Sequence, residues 1–547
     1  MHKFIVTVLL LLAGLLQAWG VANPWTGDAL WWLQLLGMAL GVVAVGWKPP
    51  AGATGKARWW LGARRTWLWA TTWLTASIWW LYISMHTYGG MPSWMAALAV
   101  LLLASALGVL YAIAGGCWAH CRARLGRLAS TTLFAALWTL AELTRGTLFT
   151  GFPWAAVGYA HVEGPLALLA PWIGVYGIGF LAAWLAAEAG LELVAAVQRD
   201  SNGRHPWVRR SITFVMWGAL VVAFAYSRDG IPVLTKPMPT GTSLSVSLLQ
   251  GNIPQNEKFQ PNGGVRTALH WYGEQLIAAD ADLVVTPETA LPMMPEFLPD
   301  NYWQVLQKRY AQGNTAALIG VPAGNAQLGY ANAVVGMAPK GAKTTPGEQV
   351  NLGLPPAQHA EYRYAKHHLV PFGEFIPPGF RWFVDMMQMP LGDFQRGAAV
   401  QPRFVWRGHR IQPNICYEDL FGEELAAAFV DAANAPTILV NVSNIAWFGD
   451  TIAIDQHRNI SRMRAMELGR PMLRATNTGS TAIIDPDGKV WAELPRHQRA
   501  VLVGDVEGYT GNTPFTEWAG RWGQWPLVAC MALLALGLMG ISLRRQP

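Results

Sequence analysis

Cysteine is scarce: the chain has four in 547 residues, Cys117, Cys121, Cys416 and Cys530. Cys416 has no second cysteine anywhere between Cys121 and Cys530, which excludes a disulfide framework for the segment that holds it. Charge is thin as well. Only 13% of residues are Asp, Glu, Lys or Arg, against 52% hydrophobic, 29 Trp and a mean hydropathy of +0.23. That balance is unusual for a soluble chain of this length and points to a membrane protein. Recognised nucleic-acid motifs are also missing, so the basic pI of 9.2 needs another source.

What is present explains it. Apolar runs fall near residues 4–21, 28–47, 66–85, 91–116, 129–141, 165–197, 211–226 and 525–543. Most are long enough to cross about 30 Å of hydrocarbon, and the fifth is short. The first run, after "MHK", also fits a secretory signal peptide; a retained helix is simpler, and either leaves the remaining topology unchanged. Lys and Arg in short loops stay on the cytoplasmic side. One set of loops holds 15 of them, from Lys3 through Lys48, Arg122 and Arg199 to Arg545, and the opposite set holds only Arg145. The count places both termini in the cytoplasm and the stretch between the seventh and eighth runs outside. The membrane segments carry +10 and that stretch −3, so the basic pI is topological rather than a nucleic-acid footprint. The expected organisation is a seven-helix membrane domain over 1–230, an extracytoplasmic domain over 231–520 and a last membrane helix over 521–547. Trp31, Trp32, Trp59, Trp60, Trp79 and Trp80 sit at span ends as interfacial anchors or as helix packing.

Within 231–520 the pattern changes to short β-rich runs, Pro/Gly turns and charged helices. "HRIQPNIC" reads as a strand ending at Cys416, and "DLFGEELAAAFVDAA" as a helix starting just after it. Helix amides there would favour thiolate over thiol, so the position suggests a nucleophile. A nucleophile needs a base and an oxyanion partner. "ADLVVTPETALP" delivers Glu288 at a strand end, and "YRYAKHHLVPFGEFIP" supplies Lys366 and Glu374. A carboxylate beside a lysine and a thiol takes the thiol proton while the ammonium meets the developing charge. His367 and His368 raise a Cys–His dyad as an alternative, which leaves the Glu and Lys motifs unexplained. "CWAHC" puts Cys117, His120 and Cys121 on one helical face without a fourth metal ligand, so packing is the default. Glu142 and Arg145, three apart at an outer helix end, read as an ion pair. Glu188 and Glu192 fall near the cytoplasmic surface. "FLPDNYW" (297–303) and 381–394 read as membrane-dipping lids or as core-covering helices.

The order Glu, Lys, Cys, each at a strand end, resembles the nitrilase-type amidohydrolases. Together with the membrane spans, "RGTLFTGFPWAAVGYA", "LLQGNIPQNEKF", "TPETALP", "KHHLVPFGEFIP", "ICYED", "AWFGD" and "QHRNISRMRAMELGRPMLRATNTGSTAIIDPDG", it resembles more narrowly the apolipoprotein N-acyltransferases. The resemblance implies a membrane α-helical bundle of about eight transmembrane helices joined to an α+β nitrilase-like αββα sandwich. It further implies a bacterial inner-membrane protein whose catalytic domain is periplasmic. Cys416 would accept the sn-1 acyl chain of a phospholipid, typically phosphatidylethanolamine, as a thioester. It would pass that chain to the α-amino group of an apolipoprotein's diacylglyceryl-cysteine. Glu288 would be the base, Lys366 the oxyanion partner and Glu374 their orienter. Glu418, with Tyr417 beside it, would shape the oxyanion pocket, and Trp447 and Phe448 would border the acyl-chain entrance. No metal and no organic cofactor is implied. Ile445 stands where the family usually has Asp, so any anchoring bond from that carboxylate is absent. A membrane-anchored amidase using water as acceptor would share every catalytic residue. A transporter or scaffold carrying an inert domain would have no need to keep the three together.

Overall fold

The computed structural model describes residues 2–47, 52–197, 237–325, 329–342, 362–377 and 394–545, with Gly218, Gly379 and Arg381 as isolated positions. The chain forms two compact units. One comprises Met1–Tyr82, Ser93–Leu234 and Gln524–Pro547, and the other Ile83–Pro92 with Thr235–Gly523.

In the first unit, four helices are long and apolar enough to cross a membrane among the described residues: Lys3–Val21, Ser93–Arg124, Pro165–Val194 and Trp525–Arg544. Trp31–Gly46 is apolar but shorter. Gly55–Ile78 begins well before the expected run, because Thr54 caps it by accepting from the Ala57 N–H at 3.2 Å, and its first half carries four basic residues. The short fifth run is the middle of a 21-residue helix, Arg127–Thr147. Polar ends containing Arg127, Glu142 and Arg145 hid its length from hydropathy. The run at 211–226 lies almost entirely outside the described residues.

These helices pack through small residues and a buried aromatic cluster. Trp138 lies 4.7 Å, centroid to centroid, from both Trp69 and Tyr111, and Tyr111 lies 5.3 Å from Trp73. A Cβ on Gly115 would fall 1.9 Å from Thr66 Oγ1, so only glycine permits the helices holding these two residues to approach this closely. Trp32, Trp60 and Trp79 are exposed as anchors would be, whereas Trp80 is buried against Trp154. Arg127 pairs with both Glu188, at 2.7 Å, and Glu192.

The second unit contains twelve described strands in two six-stranded sheets. The first runs β12 (Ala500–Thr510), β1 (Met238–Gln250), β2 (Leu283–Val285), β3 (Ala316–Asn325), β4 (Gly329–Met337), β5 (Tyr362–Ala365). The second runs β11 (Val490–Glu493), β10 (Ala482–Ile484), β9 (Met472–Thr476), β8 (Ile438–Ser443), β7 (His409–Ile415), β6 (Phe404–Trp406). β1, β2 and β3 are parallel, as are β7, β8 and β9. Alternation sets the layers. Leu283 and Val285, with Ile438, Val440 and Val442, fill the core between the sheets. Val284 faces the helices Arg266–Ala278 and Tyr302–Gln312, and Leu439 faces Ala453–Leu468 and Pro514–Trp522. Each sheet is thus covered on both faces, which is why β2 and β3 read as apolar runs and β7, β8 and β9 are buried along nearly their whole length. The result is a four-layer αββα sandwich.

Candidate active site

Polar residues that would be costly in that core begin where the central strands end. β2 leads through Thr286, whose N–H donates to the Leu318 carbonyl at 3.0 Å and whose Oγ1 accepts from the Gly320 N–H at 2.9 Å. Pro287 then stops the ladder and Glu288 turns inward, buried. Lys366 follows β5 directly, its N–H donating to the Asn332 carbonyl at 2.8 Å. Cys416 follows β7 directly, half-buried and held at φ +53°, a left-handed backbone unusual for a residue with a side chain.

The side chains converge. Lys366 Nζ donates to Glu374 Oε1 at 2.9 Å and to Glu288 Oε1 at 3.3 Å. Asn332 Nδ2 bridges the same two oxygens at 2.9 and 2.6 Å. The Asn444 N–H donates to Glu288 Oε2 at 2.9 Å and also bonds Cys416. Glu374 is fixed from behind, its Oε2 accepting from the Val370 N–H at 2.9 Å. Glu288, Lys366 and Glu374 all act electrostatically on Cys416.

The charges follow from these contacts. Burial pushes Glu288 upward, but Lys366, Lys258 and the hydrogen bonds from Asn332 and Asn444 outweigh it and hold the carboxyl below its ordinary range. Burial opposes the charge on Lys366, yet Glu288 and Glu374 more than compensate, so it stays an ammonium. Burial, then the Glu288 carboxylate, pushes the Cys416 thiol up, with Lys366 only partly opposing. The helix amides expected to favour thiolate at this position are largely missing. The physical reason lies in the following segment, which is no continuous helix but a 3₁₀ turn Cys416–Leu420, a short helix Gly422–Ala426 and a second turn Ala427–Phe429, broken at Phe421. Little helix dipole is available to the sulfur.

Glu418, expected to shape the oxyanion pocket, is held by four donors. Its Oε2 accepts from the Ile415 N–H at 2.6 Å and Tyr364 Oη at 2.9 Å, and its Oε1 from the His367 and His368 N–H groups at 2.6 and 3.2 Å. It ties the end of β7 to the residues that follow β5. Tyr417 packs its ring against Phe421 and His368. The two histidines do not form a dyad with the thiol: His367 Nδ1 bonds the Gly397 carbonyl at 2.8 Å, and His368 Nδ1 bonds Glu424 at 2.9 Å. Trp447 is exposed with its ring edge-on to Tyr88, centroids 5.9 Å apart, Phe448 is half-buried, and Ile445 is buried in the turn before them. In "FLPDNYW", Phe297 is exposed but Trp303 is buried in the helix Tyr302–Gln312, a core-covering role. Of 381–394, residues 382–393 lie outside the described residues. Among the described residues no group of three or more His, Cys, Asp or Glu is arranged to hold a metal ion, and His120 Nδ1 bonds the Gly55 carbonyl.

Residues 245–515 match the carbon-nitrogen hydrolase family, and residues 13–187 match the apolipoprotein N-acyltransferase N-terminal domain. Over 523 residues the chain is 50% identical to the apolipoprotein N-acyltransferase of Verminephrobacter eiseniae (strain EF01-2), covering 94% of this chain and 92% of that one. The chain belongs to the apolipoprotein N-acyltransferases. It is also 44% identical over 515 residues to the apolipoprotein N-acyltransferase of Ralstonia nicotianae, covering 93% of this chain and 89% of that one. A carbon-nitrogen hydrolase domain alone would leave the match over 13–187 unaccounted for.

Three polar residues of this acyltransferase escaped the sequence reading: Lys258, Asn332 and Asn444. Lys258 lies in a stretch already quoted, "LLQGNIPQNEKF", and Asn444 lies two residues before another, "AWFGD". Asn332 interrupts the apolar β4, where a buried amide signals a partner to be found. The quoted landmarks are stitched together by amides: Asn477 bonds both Ile253 backbone groups and Asn444 Oδ1, and Asn444 Nδ2 donates to Gln255 at 2.8 Å.

Proposed function

We propose that this protein moves an acyl chain from a phospholipid, through a thioester on Cys416, to the α-amino group of the diacylglyceryl-cysteine that begins an apolipoprotein. The convergence of Glu288, Lys366 and Glu374 on a single unpaired thiol, in a chain of this family, carries the reading. Because the resting sulfur is protonated, Glu288 takes its proton as Sγ attacks the ester carbonyl. Lys366 meets the oxyanion. Collapse expels the lysophospholipid alkoxide, which receives the proton from Glu288. The amine then gives a proton to Glu288 and attacks the thioester, and the departing thiolate recovers that proton. The two half-reactions make ping-pong kinetics.

The acyl donor on this reading is the sn-1 chain of a phospholipid such as phosphatidylethanolamine. The basic loops lie on the cytoplasmic side and residues 231–520 lie outside, in the periplasm of a bacterial inner membrane. Trp447 and Phe448, with exposed apolar surface one turn beyond Asn444, border the acyl-chain entrance.

Intact mass spectrometry after mixing the protein with phospholipid tests this. The expected result is one added acyl mass that hydroxylamine removes, that Cys416→Ala abolishes, and that a diacylglyceryl peptide with a free amino terminus discharges. No adduct on Cys416 would overturn the thioester, and discharge by water at the same rate would replace the acceptor with water.

A further inference from the structure

Lys258 is a buried ammonium that the mechanism above leaves unused. It sits in the loop after β1, where Glu257 and Phe259 on either side are exposed while its own side chain is buried. The loop enforces that direction. The Glu257 carbonyl accepts from the Gln260 and Gly264 N–H groups at 2.8 and 3.1 Å, and a Cβ on Gly264 would fall 2.8 Å from the Lys258 Cα. Nζ donates to the backbone carbonyl of Glu288 at 3.1 Å. Among the described residues that is its one hydrogen bond, and its electrostatic partners are the Glu288 carboxylate and Cys416. A lysine desolvated for a single neutral acceptor is costly, so its use lies in its charge.

The groups facing Glu288 show what that charge does. From β4 comes neutral Asn332; after β5 come Lys366 and Glu374; after β7 comes Cys416, with Glu418 behind it bonded to backbone; after β8 comes the Asn444 N–H. Without Lys258, two carboxylates face one ammonium, and the pocket is already negative before a thiolate or oxyanion forms. With it, the pair is balanced.

We propose that Lys258 is a positioning residue of the acyl transfer. Its positive charge, held at the backbone of Glu288, keeps the base charged and the pocket near neutrality. Negative charge then passes from glutamate to thiolate to carbonyl oxygen without accumulating. This rests on the reading of Glu288 as the base. Burial pushes the Lys258 ammonium down to about 8, with Glu288 and Cys416 pulling it back up, so its charge fades on mild alkalinisation.

The test is the rate of thioester formation on the full chain with phosphatidylethanolamine in micelles, followed by intact mass across neutral to alkaline pH. Wild type should show an alkaline limb near pH 8. Lys258→Gln, which can still donate to the carbonyl, should slow acylation on the order of 10- to 100-fold and lack the limb. Lys258→Arg should keep most of the rate with its limb moved upward. Equal rates in Lys258→Gln and wild type, or a limb near pH 8 that Lys258→Arg does not move, would overturn the proposal; the second outcome decides even if Lys258→Gln does not fold. Absence of any wild-type adduct on Cys416 would instead refute the thioester mechanism itself.

Discussion

Each unit of the molecule buries a glutamate beside a cation, and the two pairs are used differently. In the membrane unit Arg145 is spent on structure: its Nε donates to Tyr111 Oη at 2.9 Å and its Nη1 to the Phe152 and Trp154 carbonyls at 2.6 and 2.5 Å. Glu142 lies 3.9 Å away and accepts from the Val157 N–H at 2.9 Å. Together they pin the "FTGFPWAAV" loop to its helices. In the catalytic unit, Lys366 Nζ donates to two carboxylates, and both act on a thiol. Burial of charge is common to both. What separates a brace from a reaction centre is whether the donors end on backbone or on groups that can exchange a proton.

The sharpest way to break that comparison is to remove each cation. Lys366→Met should slow thioester formation by about 10³-fold or more, measured by intact mass, while circular dichroism shows the fold retained. Arg145→Met should instead destabilise the protein by about 3–5 kcal/mol, because the buried glutamate loses its partner. A thermal melt checks this, and Glu142→Gln in the same chain should recover part of the loss. Folded Arg145→Met that no longer acylates would place this pair in the chemistry and end the distinction.

Glu418 lies between the two kinds, a buried carboxylate in the active site that serves backbone. Glu418→Gln keeps the shape but presents an amide N–H₂ where donors now point. It should cost about 2–3 kcal/mol and slow acylation about 10-fold, the rate loss following from displacement of Lys366 relative to Cys416. Acylation lost with unchanged stability would put Glu418 in direct contact with substrate.

The candidate site was legible because "LVV" is apolar and buried up to Pro287 and Glu288, and because the lone Cys416 follows directly on the strand "HRIQPNI". Among the described residues four of the expected membrane helices were legible as long apolar runs, while Arg127 and Arg145 shortened the apolar run within a longer helix. Lys258 was hidden because a lysine in a polar loop reads as solvated, and only the closure of that loop on Glu257 turns it inward. The segment after Cys416 kept helical composition yet broke at Phe421, whose ψ of 77° no propensity scale anticipates. The inward bonds of Glu418 and Asp419 decide that turn.

A third buried cluster tests the comparison most finely. His457 Nε2 bonds the Cys416 carbonyl at 3.1 Å, so it carries the proton there, and Nδ1 accepts from Arg474 at 3.1 Å. Arg474 in turn pairs with Asp419 at 3.6 Å. Burial, then Arg474, holds the imidazole well below its ordinary range, so it is neutral in the folded protein. The unfolded chain, with a histidine near 6.5, gains a proton below that pH which the folded chain does not take up. Stability from this group is therefore present above about pH 6.5 and lost as pH falls, by at most about 1.4 kcal/mol per unit. His457→Gln keeps a donor for the Cys416 carbonyl and removes the titration. Its stability relative to wild type, followed by melting from neutral to mildly acidic pH, should improve progressively below about pH 6.5. A difference moving the opposite way, the variant losing ground to wild type as the pH falls, would mean that His457 is protonated in the fold. The nucleophile's carbonyl would then be held by a charged group, as Glu288 is by Lys366.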